Sequence, residues 1–136
     1  MSGSWVRSAL VIDASALVEL LLGSAAGKRV GRTIGDADLV APDVVNPEVA
    51  QAMRGLERGG KLSSERASTA IERLAESSIS CVPTSPLLRE IWALRTNLSS
   101  YDACYVALAR ALGCPLLTID RALARAPDLG VTLICA

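Results

Sequence analysis

The chain contains no histidine among its 136 residues. This absence excludes a Ser-His-Asp or Cys-His catalytic unit, a histidine general base, and a zinc or iron site with histidine ligands. Any chemistry must therefore use carboxylates, hydroxyls, thiols, arginine or lysine. Phenylalanine is also absent, and the only aromatic residues are two tryptophans and two tyrosines, so few side chains can stack on nucleic-acid bases.

Lysine is nearly absent as well, because Lys28 and Lys61 are the only lysines among the 14 basic residues. Arginine suits bidentate contacts with phosphate better than lysine does, although a solvated surface explains any single arginine equally well. The 14 acidic residues balance the charge at pH 7, so no global basic field draws the chain to nucleic acid.

The four cysteines lie in apolar stretches without CxxC spacing, at positions 81, 104, 114 and 135. We expect reduced, buried thiols rather than a disulfide framework or a zinc site. Asp13 and Glu19 interrupt what would be the apolar stretch of a signal peptide, and no uncharged apolar run reaches the ~18 residues of a membrane span. The expectation is one soluble, cytoplasmic domain without a membrane segment.

Short apolar runs of strand length alternate with segments of helical period. Strands are predicted at 8–13, 38–45, 79–84, 114–120 and 131–136, and helices at 15–23, 25–35, 47–58, 63–77, 85–97, 99–113 and 121–126. Asn46-Pro47 is predicted to start the third helix, with Asn46 as its cap. This alternation of helices with almost continuous apolar strands predicts an α/β domain whose mainly parallel sheet is covered on both faces.

Four acidic residues fall where predicted strands end and helices begin. Asp13 and Asp120 end the first and fourth strands, Glu48 lies in the first turn of the third helix, and Asp102 starts the helix before the fourth strand. In parallel α/β sheets, functional residues lie at the carboxyl ends of the strands, which meet at one edge of the sheet. Each acid also has a simpler explanation as a helix cap or a first-turn acid, and Ser99-x-x-Asp102 is close to a capping box.

Taken together, the four acids are harder to explain as caps. Carboxylates that converge on one edge repel one another and need a partner. Ligand sets made only of oxygen suit Mg²⁺ or Mn²⁺, and two such ions roughly 3.5–4 Å apart can activate a water and stabilise the leaving oxygen of a phosphodiester. Because histidine is absent, a metal-activated water is the most economical nucleophile.

Four segments, VIDASAL, PEVAQAMR, SSYDACYVALA and LLTID, closely resemble the PIN-domain ribonucleases, in particular the VapC-type toxins of bacterial toxin–antitoxin pairs. The resemblance covers essentially the whole chain. It implies a single PIN domain over residues 1–136, folded as a three-layer α/β/α sandwich with a central mainly parallel sheet. It also implies an endoribonuclease site that uses Mg²⁺ or Mn²⁺, with Asp13, Glu48, Asp102 and Asp120 as its metal-binding and catalytic acids.

The same resemblance implies supporting roles for two hydroxyls and two kinds of protein partner. Ser15 and Thr118 correspond to hydroxyls expected to orient ligands or waters, although a helix-start serine and a β-branched strand residue are simpler explanations. Family members form homodimers and are held inactive by a small VapB-type antitoxin. Residues 17–23 and the helix at 85–97, with Trp92, are candidates for these contacts, while core packing explains most of them equally well.

The expected substrate is structured cellular RNA, either tRNA or rRNA, cleaved by two-metal-type hydrolysis. Because aromatic residues are few, we expect recognition through RNA shape and arginine–phosphate contacts rather than base stacking. The candidate substrate-binding residues are Arg54, Arg58, Arg95 and Arg121.

Three alternatives remain open at this point. A PIN-like nuclease with a non-toxin RNA substrate or a DNA substrate would use the same metal chemistry. A Mg²⁺-dependent phosphotransfer module fits less well, because a receiver domain needs a late lysine and none follows Lys61, and a haloacid-type phosphatase needs an aspartate where Ser15 stands. A PIN-like fold kept only for binding is disfavoured by the complete set of acids.

Overall fold

The computed structural model describes residues 8–126 and 128–136. Its strands form one sheet in the order β3-β2-β1-β4-β5, and every neighbouring pair is parallel. The strands are β1 (Ala9–Ile12), β2 (Asp38–Pro42), β3 (Ser80–Val82), β4 (Leu116–Thr118) and β5 (Leu133–Cys135). The predicted strands and their parallel arrangement are confirmed, although each strand is shorter than predicted.

Helices cover both faces of this sheet. They are α1 (Ala14–Leu22), α2 (Ala25–Ile34), α3 (Val45–Arg58), α4 (Ser64–Ala75), α5 (Leu88–Ala93), α6 (Ser100–Leu112) and α7 (Arg121–Ala124). Helix α1 packs against α2, α3 and α4, whereas α6 packs against α5 and lies on β1, β2 and β4. The predicted three-layer α/β/α architecture is therefore confirmed. Within residues 8–126 and 128–136, no helix is long and apolar enough to cross a membrane.

The core lies around the two central strands. Leu10 to Ile12 of β1 and all of β4 are buried, as their unbroken apolar sequences predict for strands covered on both faces. The outer strands β3 and β5 are only partly covered. The expectation of four buried thiols is consequently wrong for Cys81 and Cys135, which are exposed on these edge strands, while Cys104 is buried and all four cysteines are free.

Two helix predictions need correction. Helix α3 begins at Val45, two residues early, and Asn46 does not cap it, since the Asn46 amide instead donates to Sγ of Cys81 at 3.6 Å. Pro47 fits inside the first turn, where a backbone N–H has no partner within the helix. The single helix predicted over 85–97 is also wrong, because a 3₁₀ turn at Ser85–Leu87 comes first and α5 ends at Ala93. Pro86 lies in that turn.

The sheet changes direction beside its central strand. The chain runs from β1 outward through β2 to β3, and then returns to place β4 on the other side of β1. In register, Ile12 pairs with Leu117, and the Asp13 N–H donates to the Leu117 carbonyl at 3.1 Å. In open α/β sheets a crevice forms at the carboxyl ends of the strands at such a switch point. The candidate acids meet in this region.

Candidate active site

Two of the acids lie at the ends of neighbouring strands and also cap helices. Asp13 directly follows β1, and its Oδ1 accepts a hydrogen bond from the Ala16 N–H at 2.9 Å at the start of α1. Asp120 follows β4, and its Oδ1 accepts from the Ala122 and Leu123 N–H groups at 2.9 and 3.3 Å. The cap explanation and the strand-end placement are therefore both correct, because a carboxylate has lone pairs for more than one partner.

Both predicted hydroxyls contact the Asp13 carboxylate. Ser15 Oγ donates to Oδ1 at 2.7 Å, and the fully buried Thr118 Oγ1 donates to Oδ2 at 2.5 Å. Thr118 Oγ1 also accepts from the Asp120 N–H at 2.9 Å, and Ser15 Oγ accepts from the Ile119 N–H at 3.3 Å. These bonds fix the side chain of Asp13 and tie it to the loop that carries Asp120.

Glu48 lies half-buried in the first turn of α3 and has a hydrogen-bond partner that was not predicted from the sequence. The Tyr105 hydroxyl, from α6, donates to Oε1 of Glu48 at 2.5 Å. Tyr105 is 1% exposed, so it cannot stack on a base. A signal was present in the sequence: Tyr105 is the one phenol in the buried apolar run 103–109, three residues after Asp102, and a buried phenol needs a hydrogen-bond partner.

Asp102 occupies the first turn of α6 but is not its cap. Ser99 is the N-cap, and its Oγ accepts from the Asp102 N–H at 3.1 Å. Because Ser99 already satisfies this first-turn amide, the Asp102 carboxylate is not needed to begin the helix. The helix start holds the carboxylate in place at the edge of the sheet.

The acids influence one another electrostatically. Burial raises the pKa of Asp13, and the charge of Asp120 raises it further, while hydrogen bonds from Thr118, Ala16 and Ser15 oppose the change. Burial is also the largest cause of the raised pKa values of Glu48 and Asp102. The charges of Asp102 and Asp13 add to the shift at Glu48, and those of Asp120 and Asp13 add to the shift at Asp102. The four carboxylates therefore form one cluster.

No described arginine or lysine forms an ion pair with this acidic cluster; an ion pair in the described chain instead joins Arg110 to Glu90 at 3.4 Å, both outside it. The hydrogen bonds to the cluster come from hydroxyls and backbone amides. A concentration of negative charge without a basic partner is the setting in which proteins bind cations.

The family model for the PIN domain matches residues 10–129, which contain all four acids. The chain belongs to the PIN-domain family. Ribonuclease VapC1 of Mycobacterium tuberculosis is 41% identical over 121 residues, covering 88% of this chain and 91% of the relative. This PIN domain therefore belongs with the VapC ribonucleases, and not with receiver domains or haloacid-type phosphatases.

Solved structures share the fold at lower sequence identity. VapBC2 from Rickettsia felis, bound to a DNA fragment from its promoter, matches with a TM-score of 0.66 at 12% identity over 93% of this chain and 98% of the other. VapC20 of M. tuberculosis, a toxin that cleaves the sarcin–ricin loop, matches with a TM-score of 0.64 at 18% identity, over 90% and 98% of the two chains. At these identities the likeness concerns the fold alone, which is the predicted PIN-like fold.

The chemistry of the acidic cluster suits a hard divalent cation. VapC-type PIN domains are typically metal-dependent, and this PIN domain presents only oxygen donors at the site. In the described part of the chain, however, no three His, Cys, Asp or Glu side chains are grouped closely enough to hold an ion by themselves. Mg²⁺ does not need three protein ligands close together, because it keeps several waters and takes one or two carboxylates together with substrate phosphate.

The four candidate arginines are not brought together. Arg121 directly follows Asp120 and lines a hollow of ≈ 460 Å³ with Arg29 and Arg125. Arg95 instead lies over the Trp92 ring, 4.5 Å from its centroid. The remaining two, Arg54 and Arg58, are exposed along α3, about 9 and 15 Å beyond Glu48 by the rise of the helix.

Proposed function

We propose that this PIN domain is a metal-dependent endoribonuclease toxin that cleaves structured cellular RNA, either tRNA or rRNA. The observation that carries the proposal is the cluster of four carboxylates at the switch point of the sheet, which has no basic ion-pair partner in the described residues and in which burial and neighbouring charges raise the pKa values of Asp13, Glu48 and Asp102. The similar protein VapC1 is a ribonuclease, which supports RNA cleavage as the reaction. VapC20 cleaves the sarcin–ricin loop and is a precedent for a structured RNA substrate.

In this proposal the four carboxylates hold Mg²⁺ or Mn²⁺ and are the catalytic residues. They are those of Asp13, Glu48, Asp102 and Asp120. A bound pair of such cations would neutralise charge on the phosphodiester and supply an activated water, as in two-metal-type hydrolysis. The protein's contribution is to hold the carboxylate oxygens in fixed orientations before RNA arrives, which lowers the cost of reaching the reactive geometry.

Hydrogen bonds around the acids supply that orientation. Ser15 and Thr118 each donate to one oxygen of Asp13, so both oxygens of this carboxylate are directed. Tyr105 does the same for Oε1 of Glu48. In the proposed enzyme, Ser15 and Thr118 are therefore positioning residues, which orient a ligand carboxylate rather than touch RNA.

The RNA backbone is proposed to pass over the hollow beside Asp120. Arg29, Arg121 and Arg125 bring three guanidinium groups to its lining, and guanidinium groups match phosphate geometry. Arg54, Arg58 and Arg95 are proposed as more distant phosphate contacts, because they are exposed on separate surfaces.

We further propose that residues 1–136 form one cytoplasmic PIN domain, which forms a homodimer and is neutralised by a VapB-type antitoxin. The solved VapBC2 assembly is a precedent for such a partner. Helix α5 offers apolar surface for protein contacts, since Leu88 and Trp92 are each 64% exposed. Part of the segment 17–23 is unavailable, because Leu17, Val18 and Leu21 are buried in the core.

Cleavage of total RNA by the purified, antitoxin-free chain tests the proposal, with Mg²⁺, with Mn²⁺ and with EDTA. Discrete fragments that need the metal are expected, and mapping their ends identifies the target. Asp102→Asn is expected to abolish cleavage while the fold is kept. Asp36→Asn is the matched control, because Asp36 is exposed at the opposite edge of the sheet, just before β2.

Metal binding is measured separately by Mn²⁺ titration followed by electron paramagnetic resonance. Weaker Mn²⁺ binding in Asp102→Asn but not in Asp36→Asn is expected. A folded wild-type chain that binds Mn²⁺ and cleaves no RNA, or cleaves only DNA, would refute the toxin proposal. Full activity in Asp102→Asn would return this residue to the role of a first-turn acid.

A further inference from the structure

An open cleft lies against the acidic cluster and has no role in the proposed metal chemistry. Its volume is ≈ 460 Å³, and it is lined by Val44, Pro47, Glu48, Gln51 and Tyr101. Clefts of about 300–1,000 Å³ are the size that binds small organic groups. Glu48 belongs to both the cleft and the acidic cluster, so a group held here lies directly beside the proposed reaction centre.

The aromatic ring in this cleft is open to solvent. Tyr101 is 59% exposed, although it stands on α6 next to Asp102, and its hydroxyl has no hydrogen-bond partner within the described residues. Tyr105, four residues later on α6, is buried against Glu48. The two tyrosines therefore have different settings: Tyr105 donates to Glu48 from the interior, and Tyr101 exposes its ring in the cleft that Glu48 also lines.

The lining of the cleft is suited to a neutral, planar and partly polar group. Val44, Pro47 and Tyr101 supply apolar and aromatic surface, and the exposed Gln51 supplies an amide that can both donate and accept hydrogen bonds. Among the described residues no arginine or lysine lines the cleft, and Glu48 adds negative charge, so a phosphate would be repelled. A nucleobase has the required properties, since every base has a π-face for stacking and an edge for hydrogen bonds.

We propose that this cleft binds one unpaired nucleobase of the RNA, next to the scissile phosphate, with Tyr101 stacking on the base and Gln51 reading its edge. The inference rests on the proposed ribonuclease function and adds a specificity-determining site to it. It also revises the expectation from the sequence that recognition does not use base stacking: aromatics are few, but one of them lies beside the acids. The substrate is therefore a loop or bulge, because a paired base is already stacked in its helix.

Nuclear magnetic resonance tests the base site without any cleavage. The chain has two tyrosines, so ¹³C-labelled tyrosine gives two sets of ring signals, which Tyr105→Phe assigns. The probes are AMP, CMP, GMP and UMP, which contain no phosphodiester bond to hydrolyse, and ribose 5-phosphate is the control without a base, all in Mg²⁺. We expect the nucleotides to shift the Tyr101 ring signals while Tyr105 changes little, and ribose 5-phosphate to have no effect.

Two further variants separate stacking from edge recognition. Tyr101→Phe is expected to keep binding, because the ring is retained, and Tyr101→Ala to lose it. Gln51→Ala is expected to change the order of preference among the four nucleotides while stacking persists. Absence of a Tyr101 shift with every nucleotide, or an equal shift with ribose 5-phosphate, would overturn the proposal. So would a Tyr101 signal that responds only to a bound antitoxin, since the cleft would then be a protein contact.

Kinetics on the mapped RNA target distinguishes failure of the base site from failure of the ribonuclease proposal. Tyr101→Ala should raise KM roughly 5- to 150-fold, the range found for loss of one stacked base, and leave kcat largely unchanged. Leu112→Ala is the matched control, because it removes an exposed apolar side chain at the other end of α6. An active wild-type enzyme whose KM is unaffected by Tyr101→Ala refutes the base site alone. An inactive wild-type chain whose Tyr101 signal still responds to nucleotides refutes the ribonuclease alone.

Discussion

The hydroxyl of Tyr105 donates a hydrogen bond to Oε1 of Glu48 across 2.5 Å, joining α6 to α3 at the edge of the acidic cluster. Burial raises the pKa of Tyr105 well above its usual range, and the hydrogen bond and charge of Glu48 raise it further. The phenol therefore stays protonated and remains a donor throughout the working pH range. Glu48 is held by a neutral group, so its negative charge is left for a cation.

Tyr105→Phe should weaken both metal binding and the stability of the fold. The ring still fills its buried site, but Glu48 loses the bond that sets its orientation, and loss of such an outer contact typically costs about 10–100-fold in metal affinity or activity. The expected stability loss is about 1.5–3 kcal/mol, as for a hydrogen bond to a charged group. Mn²⁺ titration and urea unfolding measure the two effects.

Tyr101→Phe is the control, because it removes the hydroxyl of the exposed tyrosine on the same helix. It should leave Mn²⁺ affinity and stability unchanged. If Tyr105→Phe also leaves Mn²⁺ affinity unchanged, then Glu48 either does not bind the metal or does not depend on Tyr105 for its orientation.

We expect activity and stability to depend on the hydroxyl of Thr118 rather than on the shape of its side chain. Thr118→Val keeps the β-branched side chain in β4 but removes the donor to Asp13 and the acceptor for the Asp120 N–H. Leaving such buried groups unsatisfied costs about 1–3 kcal/mol. We therefore expect a lower urea midpoint together with reduced kcat.

Thr118→Ser decides whether the hydroxyl is the cause. It restores the donor and acceptor and loses only a methyl group, so it should recover most of the activity while stability recovers in part. Equal activity in Thr118→Val and the wild type would show that Ser15, the other donor to Asp13, is sufficient to position it.

Much of the fold could be predicted because its causes are local. The apolar strands and the strong helix-start and glycine signals placed all five strands and most helices, and the parallel sheet followed from their alternation. The start of α3 could not be read in this way, since Asn46 resembles a cap but its amide contacts Cys81, 35 residues away. The exposure of Cys81 and Cys135 depends on strand order, which local sequence does not encode.

In the site, too, features with local causes could be predicted, and features that depend on distant contacts could not. The convergence of the four acids could be predicted because each stands at a strand end or helix start, and parallel topology brings such positions to one edge; their catalytic role stays a prediction. The bond from Tyr105 to Glu48 joins residues 57 positions apart, and no spacing rule connects them. The cleft at Tyr101 likewise depends on how α3 and α6 lie beside each other, which is a property of packing.

The acidic cluster should make the metal-free protein less stable at neutral pH. The pKa of Asp102 is raised in the folded state, so folding favours its protonated form. The stability associated with protonation is fully present below the unfolded pKa, near 3.8, and is lost as the pH rises through the folded value. Asp102→Asn, which is always neutral, should therefore have a higher Tm than the wild type in EDTA at pH 7.5.

The difference in Tm should shrink toward zero as the pH falls below about 4, where Asp102 itself is neutral. Addition of Mg²⁺ should raise the Tm of the wild type at pH 7.5 and raise that of Asp102→Asn less, because a cation stabilises the state that binds it. Calorimetry at several pH values measures both effects. A pH-independent difference would mean that the substitution acts through packing or helix capping, and not through charge.

The arginine hollow beside Asp120 should account for much of the salt dependence of RNA binding. Removing one arginine–phosphate interaction lowers the slope of log affinity against log salt concentration by about 0.7 for single strands and 0.9 for duplexes. Replacing Arg121 and Arg125 with glutamine should thus reduce the slope by about 1.4 to 1.8. Fluorescence anisotropy with a labelled RNA measures this slope. The arginine substitutions are made in the Asp102→Asn variant, which is expected not to cleave the RNA.

Arg54→Gln combined with Arg58→Gln removes the same charge from a different surface, along α3. If proximity to the reaction centre determines which arginines meet phosphate, this pair should change the slope by much less than the Arg121 and Arg125 pair. Equal changes would show that RNA is drawn by the total charge of the chain. A larger change from the α3 pair would place the RNA path along α3, beyond the cleft that contains Gln51 and Tyr101.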